Sequence, residues 1–420
     1  MSDLDLTSPA SYAESCRRIA NRDFAGLSLA EAQAASDDYN AYPGLAGLTP
    51  PRSLITLDDY LDDDLRDRAR RAVLEGLIFW EHAAAGEATR LKLGPKYLIE
   101  PGQVAPNGSP PLLPLPLGAR HLWQWVLEMT GLAREAGLDP ARVLARQQLL
   151  LVVNEGARET ITRRILAADF LGLNPENFLL LTQPAFYGLT RGPDGWNFDP
   201  ATPRRLHNHG QMAMQKTMDG QIFRLDRAGQ IHRLSRADFF GRLADTADLV
   251  SYNIEDLDYL TRALDFETIG LALGLADQGF GMTMEIVAQN PDHPVKGGLC
   301  AFDPALNREV VIESFRLRDL APAQISHLNK NFNHYPNPAQ VFQKLHQEGL
   351  FMPVAVKDGG LYFQPVQGDL NFLVKTAFLT RRAPVALRSW KSAEDTPAAL
   401  AAMARQDAQP GFAALVGLSK

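Results

Sequence analysis

Cysteine is scarce here: Cys16 and Cys300 are the only two among 420 residues. They lie too far apart to form a metal-ligand motif, and two thiols make no disulfide framework. A reducing compartment with both thiols structural is the expectation. Long apolar runs are missing as well. The run Leu149 to Val153 stops well short of the roughly 18 residues a membrane span requires. The opening Met1-Ser2-Asp3-Leu4-Asp5 is acidic and has no signal core, so a cytoplasmic protein with no membrane partner is expected. Positive charge is in deficit, with 42 Lys and Arg against 49 Asp and Glu and a net charge of −7. That removes the basic field that recruits nucleic acid, and an anionic ligand would need a local basic pocket. No G-x-G-x-x-G follows a predicted strand, which weighs against a dinucleotide oxidoreductase. Internal repeats and low-complexity tracts are also missing.

What is present is an ordinary globular composition, 45% hydrophobic and 22% charged, long enough for a large α/β unit with appendages. Residues 1–70 read as a solvated helical appendage. Ser28-Leu29-Ala30-Glu31 has the form of a capping box, and Asp58 to Glu75 carries helical apolar spacing. From Leu77 the pattern turns to short apolar runs alternating with helical stretches. Gly76 to Trp80, Leu149 to Val153, Phe178 to Leu181 and Leu249 to Ile254 read as buried strands, with helices over Leu122 to Glu135 and Glu155 to Leu171 between them. That alternation predicts a parallel sheet with helices on both faces. Hairpins are expected over Phe223 to Leu234 and Val354 to Val366, and further strands over Met282 to Ala288, Gly298 to Phe302 and Val310 to Phe315. A core over 71–380 and a helical tail over 381–420 complete the expected layout. In such sheets ligands bind beyond the carboxyl ends of the strands. The polar clusters fall there, after Trp80, after Leu181 and after Ile254.

The first cluster is Gly86-Glu87-Ala88-Thr89-Arg90-Leu91, with Gly94-Pro95-Lys96 just beyond. Glycine lets backbone N–H groups approach phosphate oxygens, and Arg90 and Lys96 would supply the charge that a polyphosphate needs. An ordinary strand-to-helix turn would look the same. Thr182-Gln183-Pro184 offers an amide, which can both donate to and accept from a base edge. In His207-Asn208-His209-Gly210-Gln211 the two histidines lack a third ligand at metal spacing. Asn253-Ile254-Glu255-Asp256 places carboxylates at a strand's carboxyl end, where one can hold Mg²⁺ against phosphates.

In this order the segments resemble the UDP-sugar pyrophosphorylases, the UTP:hexose-1-phosphate uridylyltransferases, closest to the UDP-N-acetylhexosamine and UDP-glucose types. The longest similar stretch is Met282 to Arg316, which resembles the family's K-V-V-x-K-x-N-P…V-G-V-x-C hairpin and its V-V-E-Y-S strand. Asn329 to His334 resembles its N-x-x-N-H segment, and Asp395-Thr396-Pro397 its D-T-P tail. The resemblance implies a Rossmann-like nucleotidyltransferase (glycosyltransferase-A-like) fold with a mixed, mostly parallel sheet. It implies a Mg²⁺-dependent reaction of UTP with a sugar 1-phosphate that yields a UDP-sugar and pyrophosphate. Arg90 and Lys96 would be catalytic, and Gly86, Thr89, Gln183, His209 and Gly210 would hold the nucleotide. Asp256, Glu313, Asn331 and Asn333 would hold the sugar, and Glu255 the metal. Several positions depart from the pattern, with Glu255 in the aspartate position and Asp256 in the asparagine position among them. Ala85 and Ala88 stand for loop glycines, and Ala386 for the tail lysine. Those losses predict slow turnover or none, and leave a non-catalytic nucleotide-sugar-binding or scaffold protein as the alternative.

Overall fold

The computed structural model describes residues 4–60, 62–87, 91–108, 111–288, 298–318, 327–382, 390 and 392–417, with residues 331 and 332 described by backbone alone. Its centre is a ten-stranded sheet. In spatial order the strands are Ile55–Thr56, Thr376–Thr380, Met282–Ala288, His327–Pro336, Asp248–Asn253, Ile78–Ala83, Gln148–Asn154, Phe178–Gln183, Ile222–Leu225 and Ile231–Arg233. All but two run the same way; His327–Pro336 and Ile222–Leu225 are reversed. The sheet is therefore mixed and mostly parallel, as expected.

The continuous apolar runs of the central strands follow from burial on both faces. Successive side chains alternate between faces. Trp80, Leu149, Leu151, Val153 and Leu180 enter one core, while Phe79, Leu150, Val152, Leu179 and Leu181 enter the other. The first core is closed by the helices Asp63–Glu75, Leu117–Glu135, Arg158–Ala167 and Thr396–Asp407. The second is closed by Pro9–Asp23, Asn208–Gln215, Arg236–Ala244 and Pro338–Glu348. A four-stranded sheet (Leu189–Gly192, Gly195–Phe198, Val354–Lys357, Gly360–Phe363) and the hairpin Gly298–Asp303 with Arg308–Glu313 flank this centre.

Several expectations change. Residues 4–60 are not a solvated appendage. The helix Pro9–Asp23 buries Tyr12, Cys16, Ile19 and Ala20, and Ile55–Thr56 pairs with Leu379 and Thr380 at the sheet edge. The charges that suggested solvation occupy only the outer face of each helix. The capping box at Ser28 and Glu31 is formed. The helix expected to reach Leu171 ends at Ala167. Beyond it Asp169, Phe170 and Leu171 take left-handed φ values of 40°, 55° and 57°. The strands His327–Pro336 and Thr376–Thr380 were not expected, because polar residues interrupt the first and the second is only 5 residues long.

Candidate functional site

Four parallel strands end side by side at Ala83, Asn154, Gln183 and Asn253. At their ends lies a small cleft, lined by Ala83, His209, Ser251, Asn253, Asn333 and Gln367 among others. Ala84 N–H donates to the Val152 carbonyl at 2.9 Å, so the chain leaves the sheet along its neighbour. Asn154 pins this exit, donating to Ala85 O at 3.2 Å and accepting from Ala157 N–H at 2.8 Å. The loop closes on itself where Lys96 N–H donates to Gly86 O at 3.0 Å. A side chain at Gly86 would meet only Ile254 Cγ2 and Lys96 Cδ, both at 3.8 Å. The fold itself thus leaves room there. Thr89, Arg90 and Ala88 lie outside the described residues, as does Ala386.

Lys96 is 5% exposed, and its ammonium is ion-paired with the Glu255 carboxylate. The same ammonium donates to Trp390 O at 3.3 Å. Trp390 N–H in turn donates to Glu255 O at 3.0 Å. The catalytic and metal-binding candidates are therefore brought together, and the tail is fastened over both. Asp256 faces away, into a buried charge cluster. Burial pushes its carboxyl up to about 7, against the opposing pull of Lys330. Lys330 lies 3.6 Å from both Asp258 and Glu285. Arg381 binds Glu285 at 2.9 Å and Asp265 at 2.7 Å. With Ala386 in the lysine position, nearby basic residues would have to replace it. Lys375 is spent elsewhere: it donates to Gln278 O at 3.2 Å and packs on Phe280. Arg388 and Lys391 lie outside the described residues.

Gln183 donates through Nε2 to Asn208 O at 2.7 Å and to Gln211 Oε1 at 3.2 Å. Its donor is used to fix the 208–211 turn. Asn208 takes a left-handed φ of 56° there. His209 Nδ1 accepts from Gln367 N–H at 2.9 Å. Gly210 makes the close approach expected of it toward protein rather than toward a ring, because a Cβ there would collide with the Pro365 carbonyl and Val366 N. His207 is no metal ligand. It is fully buried, with Nδ1 3.0 Å from Tyr12 Oη, and burial lowers it to about 3.

Of the residues expected to hold a sugar, Asn333 lines the cleft and is 6% exposed, with Oδ1 buried and unpartnered among the described residues. Glu313 ends its strand beside the cleft-lining Gly368, whose Cβ, were there one, would lie 3.8 Å from Glu313 Oε1. Asn331 is described by backbone alone. Sequence reasoning missed Ser251 and Gln367. Ser251 sits inside a strand read only as core, and Gln367 lies one residue past the end assigned to its hairpin. The only available signal was Gln367-Gly368, a polar amide before glycine at a hairpin exit.

A mixed α/β sheet with helices on both faces and a polar cleft at its carboxyl edge defines the class: the chain has the fold of the UDP-sugar pyrophosphorylases. It superposes on the uridine diphosphate N-acetylglucosamine pyrophosphorylase of Trypanosoma brucei with a TM-score of 0.59 at 14% identity, covering 95% of this chain and 81% of that one. A UDP-glucose pyrophosphorylase mutant from Leishmania major, determined with UDP-glucose, gives 0.58 at 14% identity, covering 91% and 78%. A UDP-glucose phosphorylase from Trypanosoma brucei gives 0.53 at 16% identity, covering 87% and 72%. No protein-family model and no curated protein matches the sequence. Among the described residues, no helix is long and apolar enough to cross a membrane.

Proposed function

We propose that the protein is a nucleotidyltransferase that joins UTP and a hexose 1-phosphate into a UDP-sugar and releases pyrophosphate. The observation that carries this reading is convergence. Lys96, Gln183, His209, Glu255 and Asn333, drawn from five separate segments, gather at the carboxyl ends of adjoining strands. The likeness in fold agrees with it.

The reaction needs no protein nucleophile. An oxygen of the sugar 1-phosphate forms the new bond to the α-phosphorus of UTP, and the bond to the β,γ-pyrophosphate breaks in line. Catalysis then rests on positioning and on neutralising charge. Lys96 closes the phosphate loop through its backbone bond to Gly86 O, and Arg90 belongs to the same loop. Gln183 would orient the base, and Asn333 and Glu313 the sugar.

No group of three or more His, Cys, Asp or Glu side chains among the described residues could hold a metal unaided. Mg²⁺ asks for less, taking one or two carboxylates and completing its shell with water and phosphate. Glu255 fits that role: its hard carboxylate is 21% exposed and already attracts a cation, the Lys96 ammonium. Bound there with the nucleotide, Mg²⁺ would neutralise phosphate charge.

A second reading, a nucleotide-sugar-binding protein without turnover, draws on the same ion pair. Lys96 and Glu255 neutralise one another and are tied to Trp390. One experiment separates the readings: incubation with UTP, Mg²⁺ and a panel of sugar 1-phosphates, measuring pyrophosphate and thermal stabilisation together. Pyrophosphate release supports the enzyme. Stabilisation by UTP with no pyrophosphate from any sugar supports the binding protein, and no stabilisation by any nucleotide rejects both.

A further inference from the structure

Below the cleft lies an ion pair that neither the sequence motifs nor the proposed reaction uses. Glu81, in the middle of the strand Ile78–Ala83, pairs with Lys216 at the end of the helix Asn208–Gln215, and both side chains are 0% exposed. Removing two charges from water is costly, so such a pair is weak support for stability. What it does fix is the direction of the hydrogen bonds around it.

An ammonium only donates and a carboxylate only accepts. Glu81 binds Lys216 through Oε2 and accepts from Ser251 Oγ through Oε1 at 2.6 Å. Ser251 has one hydroxyl hydrogen, and Glu81 takes it. Toward Gln367, 3.4 Å away, Ser251 Oγ can then only accept, so the amide nitrogen of Gln367 must face inward. That nitrogen also lies 2.7 Å from Tyr335 Oη. The backbone N–H of Gln367 is spent on His209. Its carbonyl Oε1 is left over, without a partner among the described residues, on a side chain that lines the cleft.

We infer that Gln367 is a specificity-determining residue, held by the Lys216–Glu81–Ser251 relay so that its carbonyl accepts from a hydroxyl of the bound sugar. Asn333 stands opposite Ser251 in the sheet register and lines the same cleft, with its own Oδ1 shielded from solvent. An amide acceptor suits O–H donors and repels phosphate oxygens. This wall is thus the sugar half, and the Lys96 loop is the phosphate half. The inference rests on the nucleotide-sugar reading and adds to it both the reading atom and the residues that aim it. Ser251, Glu81 and Lys216 are positioning residues.

Calorimetric titration with UDP and with UDP-glucose tests it. Gln367→Ala is expected to weaken UDP-glucose about tenfold, the scale of one well-made hydrogen bond, while UDP binds as before. Ser251→Ala is expected to give the same selective loss, and Ser251→Thr, which keeps the hydroxyl, to restore it. Unchanged UDP-glucose affinity in Gln367→Ala overturns the inference. So does equal loss of UDP and UDP-glucose, which marks a merely structural role, and so does a Ser251→Ala protein that matches Ser251→Thr. A wild-type protein that binds neither probe rejects the nucleotide-sugar reading, and the inference with it.

Discussion

The Lys96 ammonium rests on the Glu255 carboxylate, and Trp390 holds both through its backbone. On the proposed function each partner occupies the place of a ligand group: the ammonium where a metal would meet Glu255, and the carboxylate where a phosphate would meet Lys96. Binding of either ligand alone must break the pair and strand one charge; binding of both exchanges partners. UTP and Mg²⁺ should therefore bind synergistically. Glu255→Gln is expected to raise UTP affinity on the order of tenfold without metal, because Lys96 is released, and to remove the gain from Mg²⁺. Calorimetry with and without Mg²⁺ checks this; equal metal dependence in both proteins counts against it.

Gly210→Ala tests the seat of the base-side turn. The added Cβ meets backbone atoms of Pro365 and Val366, which cannot rotate aside as a side chain would. Overpacking of this kind costs about 1–3 kcal/mol. Because Gly210 N–H also donates to Pro365 O at 2.9 Å, the shift would reach His209 and Gln367. A lower melting temperature together with weaker UDP binding is the expected result. Full stability with full binding would show that the turn has slack.

The sheet was legible because its strands are buried on two faces. Leu149 to Val153 and Phe178 to Leu181 could hardly be anything else, and both cores take alternate residues from them. His327–Pro336 was hidden because polar residues break its apolar pattern: Asn333 lines the cleft, and His334 is held by Asp248. The same holds for the site itself. Gln183 and Glu255 stand at or just past strand ends, where topology makes polar residues conspicuous, and His209 opens a helix. Ser251 and Gln367 act through partners distant in sequence, and Glu81 looks like an error in a core strand until Lys216 is seen beside it.

Acidification should loosen the fold through three buried imidazoles. His82 and His121 stack 5.2 Å apart, and neither ring has a hydrogen-bond partner among the described residues. Burial holds His82 far below its usual range and takes His121 and His207 to about 3. In the unfolded chain each titrates near 6.5, so below that pH the unfolded state binds the extra proton. Each histidine then removes about 1.4 kcal/mol of stability per pH unit. Asp256 and Asp369, raised to about 7 chiefly by burial, oppose this, since their folded carboxyls hold protons that the unfolded chain releases down to its own carboxylate range. Burial raises Glu128 as well and lowers His327 and His346, so among the described residues five imidazoles against three carboxyls leave a net loss as pH falls from 6 to 4. Urea titrations across that range should show it, and His121→Phe, which keeps a ring in the stack, should flatten the slope. An unchanged slope would show that His121 is already solvated in the folded protein.

The tail is fastened from its far end. Arg120 is fully buried on the helix Leu117–Glu135, where it binds Asp407 at 2.7 Å, Gln406 at 3.0 Å and the Leu113 carbonyl at 2.7 Å. Asp407→Ala would leave that guanidinium uncompensated, a change that costs about 3–5 kcal/mol when a buried partner is lost. Asp407 is 16% exposed, so water recovers part of the charge and the lower figure is the better expectation. The consequence extends beyond stability. The helix Thr396–Asp407 follows directly on Trp390, whose indole N–H donates to Thr396 at 3.2 Å. Loosening the helix should release Trp390 from Glu255 and free Lys96. Asp407→Ala is therefore expected to melt several degrees lower and yet to bind UTP more tightly without metal, in the same direction as Glu255→Gln. A destabilised protein with unchanged UTP affinity would separate the tail's docking from the site and confine its role to holding the first core closed.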